Sequence, residues 1–253
     1  MTAKAFFLVN GSKFKGPFSP GWVEAAFLMA APGAVSPEAR QRRSEREKSM
    51  AKIKWEGIIR DPCVFQKGEL PPNARKLLMP ETIGGMMVKA IPFLIAPFCI
   101  LIVSMFFKTL FSGGAVISFP FLLLGLGVGF LLLFVHECLH ALVYPKGAVV
   151  HLGVIPRYFA AVALVSYPIS KRRFVVMSLL PAALGVIPMV LFWIMPPGCR
   201  ALNGFLFGMA VFGMIAPYPD YWNVFQIGRQ APPGCWIQFY EKDVYCFDVN
   251  DSL

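Results

Sequence analysis

Charge is scarce in this chain, and acidic charge is scarcest where hydrophobicity is greatest. Only 15% of the 253 residues are charged, against roughly a quarter in soluble domains. Between Thr82 and Tyr240 just two acidic residues occur, Glu137 and Asp220, and the whole chain holds three histidines, His136, His140 and His151. The six cysteines form no C-x-x-C pair and no dense module. That argues against a thiolate cluster or a stapled secreted scaffold and for free thiols. No internal repeat is visible, which counts against solenoids and inverted-repeat transporters.

What is abundant is apolar. Hydrophobic residues make up 57% of the chain, and the mean hydropathy is +0.60. Four windows are long and apolar enough to cross a bilayer: Val88–Phe111, Phe119–Tyr144, Phe174–Met195 and Leu202–Gly228. Pro217 and Pro219 divide the last into two pieces. The expected fold is therefore an all-α membrane protein of about four transmembrane helices. Val149–Tyr167, rich in Val, Leu, Tyr and Phe and punctuated by Gly153 and Pro156, reads as a short strand pair or re-entrant segment between helices two and three.

The net charge of +10 does not point to nucleic acid, because no basic helix with interleaved aromatics occurs. Of the 24 basic residues, all but Lys108 and Arg200 fall in the N-terminal region, the loop 145–173 or the tail. With four spans these three regions share one side, and the positive-inside rule makes that side, with both termini, cytoplasmic. Some of these cations are expected to meet anionic head groups of the lipid bilayer. The chain is expected to divide into a basic, disordered segment 1–49, a cytoplasmic collar 50–87, a transmembrane core 88–228 and a cytoplasmic tail 229–253. Ser49-Met50-Ala51-Lys52 resembles an ordinary translation start, and the short apolar run Trp22–Ala34, broken by Glu24, makes a poor signal peptide.

Within the second span stands His136-Glu137-Cys138-Leu139-His140, an H-E-x-x-H motif. One helical turn separates the two imidazoles, so both can grip one Zn²⁺, with Glu137 beside them as a general base. Ionisable groups in hydrocarbon are costly and mark functional sites. Cys138 projects to the opposite side and reads as packing. Gly125, Gly127 and Gly129 read as helix-packing positions.

A catalytic zinc needs a third protein ligand. Asp220 is the stronger candidate, since it lies as far before Arg229 as His136 lies before Pro145, at a depth of about 13 Å if helical. The alternative is that Asp220 caps a broken helix or pairs with Arg229. His151 is a second candidate ligand. Asn223, Tyr221 and Arg157 are candidate donors to an oxyanion or substrate.

At these residues the chain resembles intramembrane zinc metalloproteases of the site-2 group. More closely, it is similar to a bacterial membrane family described as zincin peptidases, a domain of unknown function. The likeness runs from about Leu70 to Gly234. It is carried by Leu-Pro-Pro-Asn-Ala at 70–74, His-Glu-Cys-Leu-His-Ala-Leu at 136–142, Pro-Ile-Ser-Lys-Arg-Arg-Phe at 168–174 followed by Leu180-Pro181, and Asp-Tyr-Trp-Asn at 220–223. It implies His136, His140 and Asp220 as ligands, Glu137 as base, a peptide or membrane-protein substrate, and a bacterial plasma membrane. Tyr-Pro-Asp-Tyr at 218–221 stands where site-2 proteases carry an Asn-Pro-Asp-Gly type of motif. The rival functions are a non-catalytic membrane protein held by a structural zinc or a polar His/Glu/Asp cluster, and a transporter component.

Overall fold

Four helical stretches of the computed structural model are long and apolar enough to cross a membrane: Ile83–Ser112, Phe119–Val143, Lys171–Ile194 and Arg200–Gln230. The described residues are 51–158 and 160–248. Expectations for segment 1–49, for a start at Met50 and for a signal peptide therefore lie outside them. Each stretch overlaps one of the windows expected from hydropathy, and the chain is a multi-pass membrane protein.

Proline marks the breaks in these stretches, although Pro188 lies inside a continuous helix. The first is α1 (Ile83–Ala90), a 3₁₀ turn (Ile91–Leu94) holding Pro92, then α2 (Ile95–Ser112). Thr82 opens α1, its hydroxyl accepting from the Gly85 N–H at 3.0 Å. The second is a single helix, α3 (Phe119–Val143), whose Pro120 sits in the first turn, where no N–H partner is lost. The third is α4 (Lys171–Leu179), a 3₁₀ turn (Leu180–Ala182) and α5 (Ala183–Ile194). The fourth breaks at Ala216–Pro217 into α6 (Arg200–Ile215) and α7 (Tyr218–Gln230). Proline at 217 and 219 withholds two N–H groups, so the ladder cannot run through.

Glycine lets α3 and α6 meet backbone to backbone. A Cβ on Gly125 would stand 2.9 Å from the Phe205 Cα, and one on Gly208 would stand 2.8 Å from the Gly125 carbonyl carbon. Gly129 packs on Met209 and Phe212, whereas Gly127, expected to do the same, faces open space. Large apolar side chains such as Ile102, Phe111, Leu131 and Ile194 remain exposed on the spans. On a membrane-spanning helix that is the lipid-facing surface.

The expectation of an all-α chain is corrected: the described residues also carry seven strands in two sheets. The strand-like stretch after the second span is the antiparallel pair β3 (Val149–Ile155) and β4 (Ala160–Leu164). β1 (Lys52–Ile58) adds to it in parallel, giving the order β1-β3-β4. Its Trp55 packs edge-on against Phe134 of α3, ring centroids 5.6 Å apart, so this sheet lies alongside the helix rather than beyond its end. The second sheet has the order β2-β7-β6-β5. It joins β2 (Arg75–Lys76) and β5 (Ile169–Ser170) to the tail hairpin β6 (Trp236–Tyr240) and β7 (Asp243–Phe247). Parts of the tail and of the residues before the first span thus pair with each other.

One apolar core ties these parts together. Ala141 and Tyr144 from α3 and its end, Phe174 and Met177 from α4, Ile227 from α7 and Ile237 from β6 share a buried cluster. Cys138 packs against it, as its place on the helix predicts. A second cluster around Phe192, Leu206 and Ala210 fills the bundle elsewhere. All six cysteines carry free thiols.

Candidate metal centre

The site begins with helix geometry. His136 and His140 lie one turn apart on the buried face of α3, and their Nε2 atoms stand 3.1 Å from each other. Two imidazole nitrogens this close need either a shared proton or a shared cation. His140 limits the choice. Its Nδ1 lies 2.8 Å from the Met177 carbonyl oxygen, so Nδ1 carries the hydrogen and donates, leaving a lone pair on Nε2.

The break in the fourth span supplies the third donor. Asp220 lies in the first turn of α7, just past Pro217, and its Oδ2 stands 3.3 Å from His136 Nε2 and 3.6 Å from His140 Nε2. A tetrahedral zinc with ligand bonds near 2.0–2.1 Å holds its ligand atoms about 3.3 Å apart. The three donor separations bracket that value. The donor set, two imidazoles and one carboxylate in a nearly closed interior, fits zinc in type and in spacing.

Glu137 belongs to the same cluster without closing on the same point. His136, Glu137 and His140 offer atoms that all lie within 4.8 Å of one another. Yet Glu137 Oε1 is 3.9 Å from His136 Nε2, farther than Asp220. Its carboxylate instead faces the Ala163 backbone of β4. In the order β1-β3-β4 this strand is an edge, so the main-chain groups facing Glu137 are not used by the sheet.

His151 stands apart from this cluster. It lies on β3, its Nδ1 is 2.7 Å from Glu56 Oε1 of β1, and its ring packs on Phe65. Tyr221 is engaged in the helix break, where its hydroxyl donates to the Met214 carbonyl at 3.1 Å. Asn223, one turn beyond Asp220, has a buried Oδ1 with no hydrogen-bond partner. Arg157 lies exposed on the 3₁₀ turn joining β3 and β4.

Sequence reasoning passed over two contributors, the Met177 carbonyl and the Ala163 backbone. Both are main-chain groups, which every residue type carries. A signal for one of them existed all the same. Pro181, four residues after Met177, cannot pair with its carbonyl.

Residues 129–236 match a protein-family model described as "Putative zincin peptidase". The resemblance read from the motifs holds over that stretch, which contains all four converging residues; 70–128 lies outside the match. No curated protein and no solved structure matches the chain. The zincin-peptidase match and the His–Glu–His cluster together point to metallopeptidase chemistry.

Proposed function

We propose that this protein is a zinc-dependent peptidase that hydrolyses peptide bonds within the membrane, near the cytoplasmic face. The observation that carries the reading is the triangle of His136 Nε2, His140 Nε2 and Asp220 Oδ2, with sides of 3.1, 3.3 and 3.6 Å. Three ligands leave a fourth position for water or substrate, the arrangement of catalytic rather than structural zinc. The pairing of His151 with Glu56 supports an open site, because it occupies the other candidate ligand elsewhere.

When bound, zinc supplies a Lewis acid that polarises the scissile carbonyl and makes water reactive near neutral pH. Glu137 sits beside the triangle, takes a proton from the attacking water and returns it to the departing amine. The edge of β4, which no other described strand covers, suits an extended substrate: Ala163 faces Glu137, and Ala161, two residues away on the same side, continues the edge. A transmembrane helix must unwind before its peptide bond is open to attack, and pairing with β4 offsets part of that cost. Asn223, one turn beyond Asp220, would donate to the developing oxyanion through its amide N–H. The distribution of basic residues supports a cytoplasmic location for this end of α3.

Elemental analysis of detergent-purified protein tests the reading. Near-stoichiometric zinc is expected in the wild type, with loss in both His136→Ala and Asp220→Ala. Unchanged zinc in the aspartate variant would remove the third ligand and with it the proposed site.

A further inference from the structure

The Ile-Ser-Lys-Arg-Arg-Phe stretch at 169–174 and Leu180-Pro181 have so far no role in the chemistry. They bracket α4, and α4 has an unusual position. It packs against both α3 and α7, whereas these two helices, which carry the three donors of the triangle, make little contact with each other. The link between the donors therefore runs through α4 as well as through α6 and the break at Pro217.

Three contacts make that link specific. Lys171 Nζ donates to the Ala231 carbonyl at 2.6 Å and to the Gly228 carbonyl at 3.3 Å, at the C-terminal end of α7. Arg173 Nε donates to the Val143 carbonyl, the last residue of α3. The final carbonyls of a helix lack intrahelical partners and carry its negative dipole end, so cations there are favourable. The third contact is the Met177 carbonyl on His140 Nδ1. Pro181 makes that carbonyl available: the Leu180 N–H is spent on Val176, and the residue that would reach Met177 has no N–H.

Geometry shows why this bracket matters. Asp220 lies eleven residues from Ala231, a lever of about 16 Å along α7. A tilt of about 5° at the held end moves the carboxylate by about 1.4 Å. Metal–ligand distances tolerate about 0.2 Å.

We propose that α4 is the positioning element of the metal centre. Lys171 and Arg173 fix the ends of the two donor helices relative to each other, and Pro181, by withholding an N–H, leaves the Met177 carbonyl to orient His140. The inference rests on the zinc reading above. None of these side chains touches the metal; they act through Asp220, His136 and His140.

The test uses the full chain in detergent, with cobalt(II) as the metal. Its visible absorption reports four-coordinate geometry, and competition with a chromophoric chelator gives affinity. Lys171→Met, Arg173→Met and Pro181→Ala are each expected to bind about 10–100-fold more weakly, the range usual for groups that support metal ligands, with altered absorption. Lys171→Arg, which keeps a donor in reach of the same carbonyls, should restore most of the affinity. Pro181→Ala separates positioning from folding, because it adds a helical hydrogen bond. Melting of the metal-free protein should hold or rise while affinity falls.

Wild-type affinity and absorption in all three variants, beside loss in His136→Ala, overturn this inference and leave the zinc reading intact. That outcome would assign the two cations to lipid head groups. Wild type that takes up no cobalt, or binds it no better than His136→Ala does, overturns both.

Discussion

Asp220 Oδ2 stands 3.3 Å from His136 Nε2, although the two residues belong to different spans with three strands and a third span between them in sequence. The contact depends on a helix that stops. An unbroken fourth span would continue the line of α6, which packs along α3 through Gly125 and Gly208. The break at Pro217 gives α7 its own direction and places Asp220 in its first turn. Carboxylate and imidazoles then meet in an interior where none could be left without a partner.

The proposed mechanism gives Glu137 proton transfer and not metal binding. Glu137→Gln is therefore expected to retain zinc at the wild-type level while losing about 10²–10⁴-fold in peptidase rate. Parallel metal analysis and cleavage of a membrane-embedded reporter check this. An active Glu137→Gln variant would remove the mechanism and leave the metal centre standing.

Gly125 marks the closest approach of α3 and α6. Gly125→Leu places a large side chain against the Phe205 backbone, which cannot yield as a flexible side chain would. A cost of about 1–3 kcal/mol or more is expected from such overpacking, seen as a lowered melting temperature. Gly127→Leu, with open space at its Cβ, should melt within a degree or two of the wild type.

Lys108 is buried and donates to the Phe192 carbonyl, the Met195 carbonyl at 2.8 Å and Asn203 Oδ1 at 2.9 Å. It pins α2 to the end of α5 and to α6. Lys108→Met removes the donor and strands several buried acceptors, each worth about 1–3 kcal/mol. A clear loss of thermal stability is expected with zinc content per folded molecule unchanged, since the donor triangle is built from other contacts.

Cys235 lies beyond the last span, between α7 and β6. Burial, followed by the neighbouring Cys246 thiol, pushes its pKa up to about 11, above the ordinary thiol range. The folded state thus keeps a proton that the unfolded state gives up, and stability should fall as pH rises from about 9 to about 11. Melting temperatures of wild type and Cys235→Ala across that range check the sign: the wild type should lose more. Alkylation of Cys235 at pH 8 should be slow in the folded protein and fast in denaturant.

The four spans, the helical pairing of His136 with His140 and the break before Asp220 were all legible because each follows from local rules. Hydropathy reports transfer into hydrocarbon, the i, i+4 spacing reports helix period, and proline reports a missing N–H. The tail hairpin and β1 went unread although weak signals were present. Lys52–Ile58 alternates polar and apolar residues over its first half, and β6 and β7 are joined through a two-residue turn at 241–242, where Glu241 has φ of 53°. Both lie in the short polar collar and tail, where strands depend on partners far away in sequence. Gly127 shares the spacing of a packing position and is not one, since only Gly125 and Gly129 meet α6.

Sequence by itself determined which side chains enter the membrane and which of them are able to bind a metal, because both depend on residue chemistry and nearest neighbours along a helix. Only the tertiary structure decided that Asp220 joins the two histidines while His151 pairs with Glu56, and that α4 stands between the donor helices. Those outcomes depend on how glycine-lined helices pack and on where main-chain N–H and C=O groups are left over. Such groups are shared by nearly every residue, so no letter of the sequence announces them.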